Sequence, residues 1–292
     1  MGPATLMTTM NPTVAPMADE VGTYGDQLRV AAAVWHRELL RYRRTKTRIL
    51  TGLVQPLLFL LVFGFGLNDL IGINGGFDFK KFMFPGVIGM SVVSTAIFSA
   101  ISIVWDREFG FLREMLVAPV QRSAIVWGKI AGGATIATLQ GCLMLALAPL
   151  IDIRLTVVAV VEVVAIAALM AVALTAFGVF VGSRLRRIEG FQIVMQVALL
   201  PMLFLAGLMF PLGNLPSWLT VLTRLDPLTY VIAPLRDVIF DAQHMPPAAI
   251  ARFPAAITIF GHRLSNSTDL AVVSFFTVLF IVLAVRGFSR TE

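Results

Sequence analysis

Residues 105–129, WDREFGFLREMLVAPVQRSAIVWGK, form a dense run of mixed charge between two long apolar stretches. The stretches on either side belong in lipid. A chain that crosses the membrane repeatedly and keeps one compact, charged, helical segment on its basic side offers a docking place for something soluble. Within the run, Phe109, Leu112 and Leu116 fall at i, i+3 and i+7 beside Asp106, Arg107, Glu108, Arg113 and Glu114, a pattern that predicts an amphipathic helix. Pro119 stops that helix, and Ser123 is placed to cap the next one. Such a helix either enters a groove on a soluble partner or lies against the bilayer surface.

Outward from this run the chain is too apolar for a soluble domain: of 292 residues 58% are hydrophobic and 14% charged, with a mean hydropathy of +0.85. Six segments have roughly the 20 apolar residues needed to cross a hydrocarbon core, at 49–67, 84–104, 128–150, 156–182, 191–212 and 270–287. The expected fold is an all-α integral membrane protein of six transmembrane helices. Seven basic residues precede the first segment (Arg29, Arg37, Arg41, Arg43, Arg44, Lys46, Arg48), and others follow the second, fourth and sixth. The opposite loops hold seven, four of them in one long loop, so the positive-inside rule puts both termini in the cytoplasm. The pI near 10.1 is accordingly a topology signal, and no nucleic-acid partner is expected.

Residues 1–23 are expected to be a disordered cytoplasmic tail without the features of a signal peptide. Residues 24–46 read as an amphipathic helix on the inner leaflet, with Leu28, Ala31, Trp35, Leu39 and Tyr42 on one face and arginines on another. The main domain covers 47–288. A minimal turn around Asp152 and Arg154 makes the third and fourth segments a hairpin. The outer region 213–269 begins with LPSWLTVLTRLDPLTYVIAPLRDVIF, nearly as apolar as a span but cut by Pro216, Pro227 and Pro234 into pieces too short to cross. These pieces are expected to be two re-entrant or interfacial helices, followed by an external loop over 242–268.

Chemistry-bearing motifs are sparse. There is no G-x-x-x-x-G-K-[ST], so ATP chemistry would have to come from a partner, and there is no H-E-x-x-H, no His/Cys cluster and no G-x-S-x-G. The chain is not expected to be an enzyme, to bind a metal or to hold a cofactor of its own. Cys142 lies inside a span as a small hydrophobe. Glu162 is the acid clearly inside a span; it faces an outer vestibule, pairs with Arg154, or serves an ion-coupled carrier. Small residues at four-residue spacing, such as Gly128 and Gly132, or Gly133, Ala137 and Gly141, permit close helix packing. Pro56 and Pro201 are expected to kink their helices.

Four pieces in order, Gln55-Pro56 with LLFLLVFGFG, then FPGVIGMSV, DREFGFLREMLVAPVQR and PMLFLAGLMFPLGNLPSWLTVLTRLDPLTYVIAPLRDVIF, resemble the ABC-2 family of ATP-binding-cassette export permeases, especially the daunorubicin-resistance type. The resemblance covers about residues 30–288. It implies a six-span half-transporter in a bacterial inner membrane that pairs with a second permease and two separate ATPase subunits carrying ATP and magnesium. It also implies that Asp106, Arg107, Glu108, Gly110, Leu112, Arg113, Glu114, Leu116, Pro119 and Arg122 couple to the ATPase. A translocation path would run along Gln55, Pro56, Phe59, Phe63, Met195, Pro201, Phe204 and Met209, and an outer gate would form from Pro211, Asp226, Pro227, Tyr230 and Arg236. The implied cargo is amphipathic or lipid-like, a drug, lipid or glycolipid. Polysaccharide export, or an ion-coupled carrier built on Glu162, are the alternatives.

Overall fold

The structure, a computed structural model, describes residues 24–66, 79–110, 121–208, 215–244, 258–259, 262–263 and 265–290. The expected tail at 1–23, most of the charged loop (111–120), Met209, Pro211 and most of the outer loop 245–264 lie outside the described residues.

Ten α-helices are described. In order they are α1 (Tyr24–Arg44), α2 (Lys46–Phe59), α3 (Phe79–Ser99), α4 (Ile101–Glu108), α5 (Arg122–Leu145), α6 (Val157–Arg184), α7 (Ile188–Leu205), α8 (Ser217–Leu225), α9 (Thr229–Ala242) and α10 (Asn266–Arg290). Helix α2 runs on as a π-helix over Leu60–Phe65. A two-residue ladder, β1 (Thr258–Ile259) on β2 (His262–Arg263), pairs antiparallel in the outer region.

Four helical stretches are long and apolar enough to cross a membrane: Phe79–Glu108 (α3 with α4), α6, α7 and Asn266–Phe288. A fifth is counted if α1 and residues 49–65, which meet at 69°, are one bent span. The chain is an all-α multi-pass membrane protein. The six-segment expectation differs at α5, which at 24 residues is about 36 Å long but carries Lys129 and Gln140 among glycines. That polarity is internal, because both side chains are buried.

The bundle is organised around α3 and α4, whose apolar window is 83% buried. Helices α5 and α6 pack against it as a hairpin, and α10 packs along α6. The hairpin turn is as tight as expected. A 3-10 turn (Ala148–Ile151) is closed by Ile153 N–H donating to Ala148 O, with Asp152 in the left-handed region at φ 57°. The Thr156 hydroxyl then caps α6 by accepting from Ala159 N–H at 3.2 Å. Small residues allow this closeness. A Cβ on Gly128 would lie 2.6 Å from Ala31 O, and one on Gly132 2.8 Å from Glu38 Cβ, so α5 accepts α1 against bare backbone.

Two expectations are corrected here. Helix α1 buries Val34, Glu38 and Tyr42 against α5, and Leu28 is 72% exposed. The helix therefore docks through a polar-bearing face, since its partner surface is glycine-lined and polar. The α5 N-cap is Gln121, with no side-chain cap bond, and Ser123 Oγ instead contacts Gln121 Oε1 at 3.4 Å. The Pro-cut outer segment does fold into two short helices, α8 and α9 of 9 and 14 residues, too short to cross.

Candidate functional site

Helix α4 ends in Asp106-Arg107-Glu108, at the root of the charged loop, and each of the three side chains reaches a different part of the bundle. Asp106 is only 2% exposed, and its Oδ2 accepts from Lys129 Nζ of α5 at 2.5 Å and from Arg37 Nη2 of α1 at 2.8 Å. Lys129, 4% exposed, also donates to Glu38 Oε1 at 2.6 Å and to Ser102 Oγ at 3.0 Å. Arg41 stands near both acids, at 3.6 Å from Asp106 and 3.8 Å from Glu38. Three cations thus enclose two carboxylates, and the ammonium's three protons each find an acceptor. A buried ion network of this kind holds geometry strictly, because losing any partner leaves an uncompensated charge.

Arg107 and Glu108 act on helix ends. Arg107 Nη1 donates to Ser183 O at 2.8 Å and Leu185 O at 3.1 Å, taking up carbonyls at the C-terminus of α6. Glu108 Oε2 accepts from Ile188 N–H at 2.9 Å, at the N-terminus of α7. Each charge also sits at the helix end whose dipole favours it. One turn of α4 therefore ties α1, α5, α6 and α7 together at the base of the loop.

Of the residues expected to couple to an ATPase, Asp106 is turned inward, which corrects its assignment to a presented surface: its oxygens are spent on Lys129, Arg37 and Arg41. Arg107 and Glu108 face neighbouring helix ends, and Gly110 sits at φ 82° where the chain leaves α4. Arg122 opens α5, while Leu112, Arg113, Glu114, Leu116 and Pro119 lie outside the described residues. Sequence reasoning missed Glu38, Ser102, Lys129 and Gln140. Gln140 receives the Tyr42 hydroxyl at 2.6 Å and donates to Ile49 O at 3.3 Å, bridging the break between α1 and α2. The available signal was a lysine and a glutamine inside an expected span, which call for internal partners.

At the other end of the bundle, Asp226 Oδ1 accepts from Leu228 N–H at 3.1 Å and so shapes the Asp226-Pro227 turn between α8 and α9. Burial pushes the Asp226 carboxyl up to about 7, against the Leu228 amide and Thr229 hydroxyl, which favour its charged form. Tyr230 donates its hydroxyl to Arg224 O at 2.8 Å. Arg236 is fully buried, donating to Gly207 O at 2.7 Å with its guanidinium 4.3 Å from the centre of the Phe82 ring. Three expected gate residues thus fix the turn and join α9 to the end of α7 and the start of α3.

The expected path residues divide. Gln55, Phe63, Pro201 and Phe204 are exposed, and Phe59 stacks on Phe63 at 5.4 Å. Pro56 and Met195 are buried and face the chain's own core, correcting their place on a path; on α7 the buried row is Phe191, Met195, Leu199 and Leu203. Glu162 forms no ion pair with Arg154 and is exposed beside a cavity between α6, α9 and α10.

Comparison with known proteins agrees with this architecture. The inner membrane transport permease YadH of Escherichia coli K12 is 28% identical over 206 residues, 70% of this chain and 80% of that protein. Nodulation protein J of Rhizobium leguminosarum bv. trifolii is 28% identical over 211 residues, 70% and 79% respectively. Nodulation protein J of Sinorhizobium fredii is 27% identical over 231 residues, 78% and 87% respectively. Residues 29–240, from α1 to the last turn of α9, match the ABC-2 type transporter family, and a match over so much of the sequence means that the chain belongs to it.

Proposed function

We propose that this chain is the membrane half of an ATP-driven exporter, working as a pair of permeases with two separate ATPase subunits that bind ATP and magnesium. The observation that carries this reading is the wiring of Asp106, Arg107 and Glu108 at the root of the charged loop. A push on the loop by a soluble subunit would move α4, and α4 cannot move without α1, α5, α6 and α7. In this reading residues 109–122 meet the ATPase, and ATP binding biases the permease between its two access states because its affinity differs between them. The basic residues near the loop support a reading in which that side, with both termini, faces the cytoplasm of a bacterial cell.

The route and the cargo are read from apolar exposure. Leu50, Val54, Leu58 and Leu61 along α2 and the π-helix, and Ile193, Val197, Leu200 and Phe204 along α7, remain exposed in the single chain. Two copies facing each other through these helices would enclose an apolar seam, which suits an amphipathic or lipid-like cargo better than a hydrophilic glycan. In this reading Glu162 has no part in energy coupling.

A pull-down from native membranes tests the reading, using the tagged chain beside a variant with Glu108→Lys and Arg113→Glu. A stoichiometric soluble ATPase recovered with the wild type and lost with the variant supports it. Recovery of no ATPase from well-solubilised wild type overturns it and returns weight to a carrier built on Glu162.

A further inference from the structure

On the flank of the bundle away from α2, the N-terminal part of α6, the C-terminal end of α9 and the start of α10 enclose an open groove of about 650 Å³. That size lies within the range of about 300–1,000 Å³ that takes a drug-sized ligand. Its wall is apolar, with Ile166, Val238 and Leu270 among the lining residues. Val157 and Val161 beside it are 81% and 62% exposed, as expected of a surface facing lipid. Two carboxylates, Glu162 and Asp241, line the groove, no Lys or Arg does so among the described residues, and neither acid has an ion-pair partner there. The groove also meets the N-termini of two long helices, at Thr156 of α6 and Asn266 of α10, where the helix dipole favours an anion. His244 also lines the groove and follows α9 in the left-handed region at φ 50°, and next to it Gln243 Nε2 donates to Arg154 O at 2.5 Å.

We propose that this groove binds one membrane phospholipid with a primary-ammonium head group. Carboxylates with no ion-pair partner among the described residues call for an ammonium, helix N-termini for a phosphate, and an apolar wall for an acyl chain. A zwitterionic aminophospholipid carries all three in one molecule. Depth agrees with this assignment. Glu162 is six residues beyond Thr156, about 9 Å of helix rise, which puts it near the polar boundary of a leaflet rather than the midplane. A primary ammonium donates three hydrogen bonds and can serve both acids, whereas a trimethylated head group donates none. The site is independent of the transport reading, since it needs neither an ATPase nor a second permease.

The test is native mass spectrometry of the purified chain equilibrated in vesicles of equal parts phosphatidylethanolamine, phosphatidylcholine and phosphatidylglycerol of matched acyl chains. The expected result is one retained ethanolamine lipid per chain, in preference to the other two. Glu162→Gln with Asp241→Asn lowers that preference about tenfold, the scale of losing a charge-assisted hydrogen bond. Because neither acid has an ion-pair partner among the described residues, this double variant is expected to keep the wild-type melting temperature. Val238→Trp, which fills the groove, removes retained lipid whatever its head group. Equal retention of the three lipids, an undiminished preference in the double variant, or lipid retained by Val238→Trp would each overturn the proposal. The measurement uses the permease alone, so its failure leaves the exporter reading untouched, and loss of the ATPase partnership would leave the lipid site untouched.

Discussion

Lys129 Nζ on α5 lies 2.6 Å from Glu38 Oε1 on α1, although 91 residues separate them in the chain. Both side chains are buried, and the same ammonium reaches Asp106 at 2.5 Å. Lys129→Ala leaves two carboxylates beside only Arg37 and Arg41, which are partly exposed. We expect a loss of about 3–5 kcal/mol, the cost of breaking a buried pair from one side. Thermal unfolding in detergent measures it. An unchanged midpoint would mean that water reaches the network and the arginines suffice.

Arg107→Ala frees the carbonyls of Ser183 and Leu185 at the end of α6, a local cost of about 1 kcal/mol. The larger expected effect is functional, because the loop root then no longer grips α6. In reconstituted vesicles with the ATPase partner, the variant should retain the partner but lose most of its coupled transport. Transport equal to wild type would show that Arg107 serves only as a cap.

The parts of the fold legible in the sequence were those set by local chemistry. Pro216 and Pro227 cut an apolar stretch into α8 and α9, whereas Pro234, expected to cut it again, lies inside α9. Asp152 and its neighbours are too few to be anything but a turn. The small residues at 128, 132 and 133 mark α5 as a helix that others approach closely. The interior charge pairing was not legible. Spacing along α1 puts Glu38 on the same face as Val34 and Tyr42, but only the polar, glycine-lined surface of α5 makes that the buried face. Likewise the run Asp106-Arg107-Glu108 reads as three equivalent surface charges until the phase of α4 against α1, α5 and α6 turns one inward and two onto helix ends. Met195 failed as a path residue for the same reason: a helix apolar all round does not announce which row meets its own core.

Gly132→Val tests the seat of α1. A Cβ there would stand 2.8 Å from Glu38 Cβ and 3.1 Å from Glu38 Cγ, the stem of a side chain held by Lys129, so it cannot swing aside without breaking the network. Overpacking of this kind costs about 1–3 kcal/mol. Thermal unfolding in detergent should show a lower midpoint for Gly132→Val than for the parent. An unchanged midpoint would mean that α1 adjusts without leaving α5.

Asp226 gives a pH dependence whose sign follows from its burial. The unfolded carboxyl titrates near 3.8 and the folded one near 7, so between those values the folded state holds a proton that the unfolded state has released. Stability contributed by this group is therefore fully present below about pH 4 and declines as pH rises through 7, by an amount on the order of a few kcal/mol. Asp226→Asn keeps an oxygen to accept from Leu228 N–H without a titrating proton, and should flatten this part of the profile. Melting temperatures of wild type and variant between pH 5 and 8 decide the matter. The wild type should fall relative to Asp226→Asn as pH rises, and a parallel pair of profiles would mean that the carboxylate is solvated in the folded protein.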